Sequence, residues 1–322
     1  MNAHAPHRPL VSVLTPTYNN EAFLVECIES VLAQTYDHWE YLIVDDASTD
    51  ATIDLALSYA EKDPRIVVHR HQKRLGVPAN WNRALGYLST DSAYTKFVHA
   101  DDALTPECIE RMVACAEENP TAGVISAYRR DGTRVNLRGL DPDRTLFRGS
   151  EVLRATLLGE VYVFGSPTSL LLRTDLVRKH MPLYDETTLH ADTEACFDLL
   201  RDSDLGFVHD VLTFTRRHKG AVTNYAYWLG TYRPSQLKMH QRHGKAFLSQ
   251  DEYERRLATL TLYYLRFLAK RLLRLRNVRF RRFHGRTVRD LGANTGVVEL
   301  VRGAALQLRQ KRQRRRGLQR AA

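Results

Sequence analysis

Residues 11–20 read VSVLTPTYNN and residues 41–52 read YLIVDDASTDAT. Each begins with a short apolar run and ends in a polar cluster. The clusters are Thr15-Pro16-Thr17-Tyr18-Asn19 and Asp45-Asp46-Ala47-Ser48. A short apolar run bounded by turn-forming residues reads as a strand covered on both faces. Between the two, Leu24, Ile28, Val31 and Leu32 recur at helical spacing.

The alternation continues along the chain. A second helix carries Ile53, Ala56, Leu57 and Ala60, and RIVVHR at 65–70 is a third strand. Trp81, Leu85 and Leu88 mark a third helix, and AYTKFVHA at 93–100 is a fourth strand running into Asp101-Asp102. The next helix turns Ile109, Met112, Val113 and Ala116 inward, with Thr105 expected as its cap and Pro106 at its first position. GVISAY at 123–128 is a fifth strand. Residues 131–144 are turn-rich, and SEVLRATLLGEVYVFG at 150–165 reads as a helix leading into a strand. Asp192 opens a further helix with Cys196, Leu199 and Leu200 inward, followed by a strand.

Strands alternating with amphipathic helices predict an α/β fold, a mostly parallel twisted sheet with helices on both faces. Ligands bind such sheets beyond the carboxyl ends of the strands. The clusters TPTYN, DDAS and HADDA all fall there, so three strand ends converge on one cleft. Neither G-x-G-x-x-G nor G-x-x-x-x-G-K-[ST] follows the first strand, which excludes the dinucleotide fingerprint and the phosphate loop. The first domain is expected to span 1–225, with a helical basic region over 226–322.

The chain has 322 residues, enough for one large domain and an appendage, and its 43% hydrophobic content suits a globular protein. The opening MNAHAPHRP lacks the apolar core of a signal peptide, and no run approaches the ~18 residues of a membrane span. Cys27, Cys108, Cys115 and Cys196 form no CxxC pair and read as buried free thiols of a reducing cytoplasm. The net charge of +10 is unevenly spread. From Asp251 onward there are 20 Lys and Arg against 5 Asp and Glu, while the rest holds 27 basic and 32 acidic residues. Such a tail implies an anionic partner. It carries no nucleic-acid reading motif, and the acidic body argues against that class. Tyr253, Leu257, Leu260, Tyr264, Leu268 and Leu275 form one stripe, with Arg255, Arg256, Arg266, Lys270, Arg274 and Arg276 among them. The stripe suits either a headgroup layer or a protein core. The terminal RQKRQRRR at 309–316 is expected to be disordered, and is the more charged candidate for an anionic membrane surface at the inner face of the cell membrane.

VSVLTPTYNN, YLIVDDASTDAT and HADD in this order resemble family 2 of the glycosyltransferases, which has the GT-A fold and inverts configuration. HADTEACFDLL at 190–200 and TRRHKGAVT at 215–223 resemble later motifs, so the likeness covers about residues 9–225. It implies a nucleotide-diphosphate sugar donor, usually a UDP-sugar, a divalent cation (Mn2+ or Mg2+) and a glycan or lipid-linked acceptor of surface polysaccharide or envelope synthesis. A cation with oxygen ligands neutralises a diphosphate leaving group. By resemblance Asp102 is the metal ligand and Asp101 faces the ribose or a metal-bound water. Asp46 would accept a hydrogen bond from the base, with Pro16, Thr17, Tyr18 and Asn19 in the same nucleotide-sugar pocket and Tyr18 against the ring. One of Asp45 and Asp46 can equally be a helix cap.

RLGVPANWNRAL at 74–85 resembles a segment beside the nucleotide, with Asn80 and Asn82 as candidates. Many members carry an arginine where Trp81 stands, so that contact does not carry over. Gly76 reads as a tight turn. Inversion needs a base on the acceptor side, and Asp192 matches the family's carboxylate at a helix start. Ala191 departs from the glutamate common there, which leaves Glu194 as a rival. His218 matches a histidine that touches metal or diphosphate, with Arg217 or Lys219 near phosphate; a solvated basic turn is the plain alternative. A sugar-nucleotide pyrophosphorylase would need a glycine-rich loop that TPTYNNEAF lacks, and a glycoside hydrolase needs no base-binding motif.

Overall fold

Val11, Val13 and Leu14 are wholly buried, and so are Tyr41, Ile43 and Val44 thirty residues on. Runs apolar on both faces belong in the middle of a parallel sheet. They form β1 (Leu10–Thr17) and β2 (Trp39–Asp45), parallel neighbours in the register Val11 to Trp39 and Thr17 to Asp45. The computed structural model describes residues 8–136, 140–218, 220–271 and 277–291. The chain divides into two compact units, Met1–Lys219 and Gly220–Ala322.

In the first unit, α1 (Leu24–Leu32) returns the chain from β1 to β2. α2 (Thr52–Ala60), β3 (Ile66–Arg70), α3 (Val77–Leu85) and β4 (Ser92–Phe97) follow. Next come β5 (Ala103–Leu104), α4 (Cys108–Glu118), β6 (Ala122–Asp131), β7 (Arg134–Asn136), β8 (Leu146–Phe147) and α5 (Gly149–Leu158). A 3-10 turn, Pro167–Ser169, leads into β9 (Leu170–Arg173), α6 (Thr174–Lys179), α7 (Ala191–Arg201) and β10 (Asp204–Thr215). The sheet order is β3-β2-β1-β4-β9-β6-β10-β5, with β7 on β6 and β8 on β10. β3, β2, β1 and β4 are mutually parallel, as are β6 and β10, while β9 runs antiparallel between β4 and β6. Strand order reverses at β1, which lies between β2 and β4. The crevice beyond their carboxyl ends is therefore the topological switch point at which such sheets bind ligands.

Several local expectations are corrected. Thr105 does not cap α4, which begins at Cys108. Gln34 serves instead: its Oε1 accepts from the Ile109 N–H at 2.9 Å while its Nε2 donates to the carbonyls of Ser30 and Thr105. Leu57 is 46% exposed, because the nine-residue α2 turns Ile53 and Ala56 inward. α3 ends at Leu85, so Leu88 lies beyond it. Residues 161–165 form no strand; the Val163 carbonyl accepts from Ser126 Oγ, and Gly165 at φ +63° with Pro167 after it ends the extended run. The strand of this region is β9. All four cysteines are buried and free.

The second unit contains α8 (Val222–Leu229), α9 (Tyr232–Phe247), α10 (Gln250–Lys270) and α11 (Val278–Asp290). Ser249 and Glu252 form a reciprocal capping box at the start of α10. Tyr253, Leu260, Tyr264 and Leu268 are buried, the last three packing with Leu229, Leu237, Phe267, Phe280 and Leu291. The stripe over 253–268 is thus core, and is not available to a headgroup layer. Leu275 and the RQKRQRRR tail lie outside the described residues. No helix among the described residues is long and apolar enough to cross a membrane.

His284 sits inside this helical core. Its Nε2 lies 2.8 Å from the Leu229 carbonyl, which can only accept, so Nε2 carries the proton and Nδ1 accepts from the Tyr264 hydroxyl at 2.8 Å. Burial lowers its pKa from 6.5 to about 4, with Arg271 adding to the effect and the Leu229 carbonyl opposing it. The folded state therefore disfavours the charged ring. The stability it contributes is complete above 6.5 and is lost as pH falls toward 4. We expect the His284 ring proton resonances to titrate with a midpoint near 4; a midpoint near 6.5 refutes the buried neutral ring.

Candidate active site

The two polar turns after β1 and β2 are stitched together. The Asp46 N–H donates to the Thr17 carbonyl at 2.8 Å, carrying the ladder past the strand ends. Asn19 at φ +51° and Ala47 at φ +61° turn the chain there, each in the left-handed region that costs a side-chain-bearing residue energy. Asn19 anchors its turn: its N–H donates to Ser48 Oγ and its Oδ1 accepts from the Thr49 N–H, both at 2.9 Å. Pro16 is buried in β1 opposite Val44, and Thr17 is buried at the strand end.

The paired aspartates have separate partners. Asp45 Oδ2 accepts from the Ser48 N–H at 3.0 Å and shapes its own turn. Asp46 reaches across to the loop before α3, accepting from Leu75 N at 2.6 Å and Gly76 N at 2.9 Å. Gly76 has φ +97°, the backbone that its tight turn demands. The same loop sets the Arg74 guanidinium over the half-buried Tyr18 ring, 3.9 Å from its centroid. Each carboxylate oxygen has two lone-pair sites, so Asp46 can accept from a ligand while holding the loop.

α3 contributes Asn80, Trp81 and Asn82. Asn80 bonds the Val44 carbonyl and His71. The Asn82 amide grips the Tyr184 backbone in both directions, at 2.8 and 2.9 Å, and reaches Glu186. It thereby fixes the segment that leads to α7. Trp81 stacks on His99 with centroids 5.1 Å apart and meets Tyr184 edge-on.

Beyond β4 the chain delivers His99, Asp101 and Asp102. Asp102 is 3% exposed; its Oδ2 accepts from Thr168 Oγ1 at 2.7 Å and its Oδ1 from the Arg216 N–H at 3.2 Å. Burial raises its pKa, the Asp101 charge adds to this, and His99 opposes it. Asp101 accepts from His218 Nε2 at 2.9 Å, and the His218 ring lies against Phe23. One potential ligand atom each from His99, Asp101 and Asp102 lie within 4.8 Å of one another. Two ligands of one ion stand at most about twice 2.4 Å apart, so this donor set fits a divalent cation. His218 stands behind Asp101, outside that set of three. Arg217 pairs with Asp131, lowering the Asp131 pKa, and Arg216 pairs with Glu26. Lys219 lies outside the described residues.

Asp192 is the second residue of α7, and no side chain caps that helix, so it is not a cap. It is half-buried, with Oδ1 accepting from the Thr193 N–H at 2.8 Å. Burial raises its pKa, while that hydrogen bond and the fields of His190, His99 and Arg129 oppose the rise. The last two fields reach it from beyond the end of β4 and from β6. Glu194 is 7% exposed. Sequence reasoning did not single out His99, although it stands in the quoted HADD, nor Arg74 or Thr168.

A profile of Glycosyl transferase family 2 matches residues 12–181. A putative teichuronic acid biosynthesis glycosyltransferase, TuaG, of Bacillus subtilis is 32% identical over 47% of this chain and 60% of its own. An uncharacterized glycosyltransferase of Rickettsia typhi is 30% identical over 68% of each chain. The chain thus spans about three fifths to two thirds of these relatives' lengths. Among solved structures, S. aureus TarS 1-349 in complex with UDP-GlcNAc shares the fold at a TM-score of 0.59 and 20% identity, over 80% of this chain and 73% of that one. The mannosyltransferase PcManGT from Pyrobaculum calidifontis, with GDP-Man and Mn2+, does so at 0.56 and 16% identity, over 94% and 87%. The matched profile covers more than half of the chain and the full run of strand-end motifs built above: this protein belongs to glycosyl transferase family 2.

Proposed function

We propose that this family 2 glycosyltransferase moves a sugar from a UDP-sugar to a hydroxyl of a cell-envelope or surface polysaccharide acceptor, by one metal-assisted displacement that inverts the anomeric centre. The observation that carries the reading is the convergence of His99, Asp101 and Asp102 at the switch point of the sheet, with the His99 field acting on Asp192. The polysaccharide assignment rests on the likeness to a relative named for teichuronic acid biosynthesis. The UDP-sugar reading draws support from the TarS complex with UDP-GlcNAc.

Each residue has a stated task. Tyr18, with Arg74 over its ring, is the platform for the base, and Asp46 accepts from the base while holding the 75–76 amides. Asp101 and Asp102 hold the cation, with His218 orienting Asp101. A divalent cation bound there neutralises charge on the departing nucleoside diphosphate. Asp192 takes the proton from the acceptor hydroxyl as the new bond forms. Burial raises its pKa, which strengthens it as a base once ionised.

Asp102→Asn keeps shape and removes charge. Transfer should fall on the order of a thousandfold with the fold intact by circular dichroism, and excess EDTA should silence the wild type. Full activity in EDTA defeats the metal reading.

Asp192→Asn should lower kcat by about 10²–10⁴-fold and leave UDP affinity nearly unchanged in calorimetry. In the wild type the rate should rise with pH through a midpoint above the ordinary carboxylate range, since burial raises this pKa and the ionised form is the active one. The asparagine variant should lack that limb. An inactive Glu194→Gln beside an active Asp192→Asn would move the role to Glu194.

Location at an anionic membrane rests on α11. Arg279, Arg281, Arg282, Arg286 and Arg289 are exposed there, and the only acid in the helix is Asp290. Each cation near an anionic leaflet contributes about 1 kcal/mol. The full chain should co-sediment with anionic but not neutral vesicles at low salt. Changing these five arginines to Gln should cut binding at least tenfold; undiminished binding assigns α11 another task.

A further inference from the structure

Resting on the metal reading above, we infer that His99 is the metal-selecting ligand of this active site, a nitrogen donor that favours a first-row transition ion over Mg2+. The two carboxylates alone make a hard oxygen site, which suits Mg2+ and Mn2+ alike. An imidazole in the same shell shifts preference toward transition ions.

Three observations place His99 in that shell. Its ligand nitrogen lies within 4.8 Å of the ligand oxygens of both Asp101 and Asp102. Neither ring nitrogen hydrogen-bonds a described residue: Nδ1 stands 3.9 Å from Asp102 Oδ2, and Nε2 is buried with no partner. A ring nitrogen that makes no hydrogen bond keeps its lone pair for an ion held by the two carboxylates. The ring is also held in place. Trp81 stacks on it with planes 20° apart, and the His99 N–H donates to Thr168 Oγ1 at 3.0 Å. The same hydroxyl donates to Asp102 Oδ2, so one threonine aligns the imidazole-bearing backbone and the carboxylate together. His218, the other histidine near the site, already has Nε2 on Asp101. It is a positioning residue, and His99 is the nitrogen donor.

The test uses the full chain with Mn2+ and UDP, read by pulsed EPR for ¹⁴N coupling to the bound ion, and by calorimetry for Mn2+ and Mg2+ affinity. The wild type should show ¹⁴N coupling. His99→Asp and His99→Asn should keep the fold and bind Mn2+ without it, while His218→Asn keeps it. The Mn2+ over Mg2+ affinity ratio should drop on the order of tenfold in His99→Asp. Coupling that persists in both His99 variants, or an unchanged ratio, overturns the inference and leaves the metal site standing. Failure of the wild type to bind Mn2+ with UDP overturns both.

Discussion

The buried carboxylate of Asp102 is the constraint on which the site depends. An ionised group at 3% exposure must be compensated, and its hydrogen bonds come from distant parts of the chain: the 3-10 turn through Thr168 and the end of β10 through Arg216 N. The turn is fixed from beneath by a second buried charge. Lys96 Nζ, wholly enclosed, donates to the Thr168 carbonyl at 2.5 Å and the Leu170 carbonyl at 3.1 Å. Lys96 therefore sets the turn, the turn sets the Thr168 hydroxyl, and the hydroxyl sets Asp102 and the backbone of His99. Burial shifts both charged groups toward neutrality, lowering the Lys96 pKa and raising that of Asp102. A carboxylate kept dry beside Asp101 is poised for a cation, because a bound cation would reverse the penalty of burying it.

A second constraint holds the ends of β1 and β2. The turns after β1 and β2 lack glycine at their left-handed positions and are secured by side chains instead. Asn19, Ser48, Thr49, Asp50 and Thr52 cross-link them through hydrogen bonds that span about thirty residues. Asp46 then extends this rigid pair to the 71–76 loop. The position of Arg74 over Tyr18 is thus tied to Asp46 through the loop that Asp46 holds.

The sequence was most legible where structure is local. β1, β2, α1 and α7 follow from periodicity and from apolar runs, and the strand-end clusters fall at one edge because parallel strands share a direction. The tight turn at Gly76 was readable for the same reason. What could not be read depends on partners far along the chain. Gln34 caps a helix 75 residues away, Thr168 meets Asp102 across 66, and β9 inserts antiparallel between β4 and β6. The amphipathic stripe of α10 matched two solvents equally in pattern; residues such as Leu229, Leu237, Phe280 and Leu291 packed against it distinguish core from membrane. His99 was hidden because an imidazole in a strand-end motif is ordinary until its unpartnered nitrogen is seen beside two carboxylates.

The proposed preference for Asp192 over Glu194 as base draws on helix geometry. Successive residues of an α-helix turn by about 100°, so positions two apart point roughly 200° from each other. If one faces the cleft, the other faces away from it. The fields of His99 and Arg129 act on Asp192, while Glu194 lies among the buried residues of α7 with Ala195, Phe197 and Leu199. A general base must reach the acceptor hydroxyl with an open lone pair. Asp192 Oδ1 accepts from the Thr193 N–H, which fixes the carboxylate plane and leaves Oδ2 as the oxygen for the incoming proton.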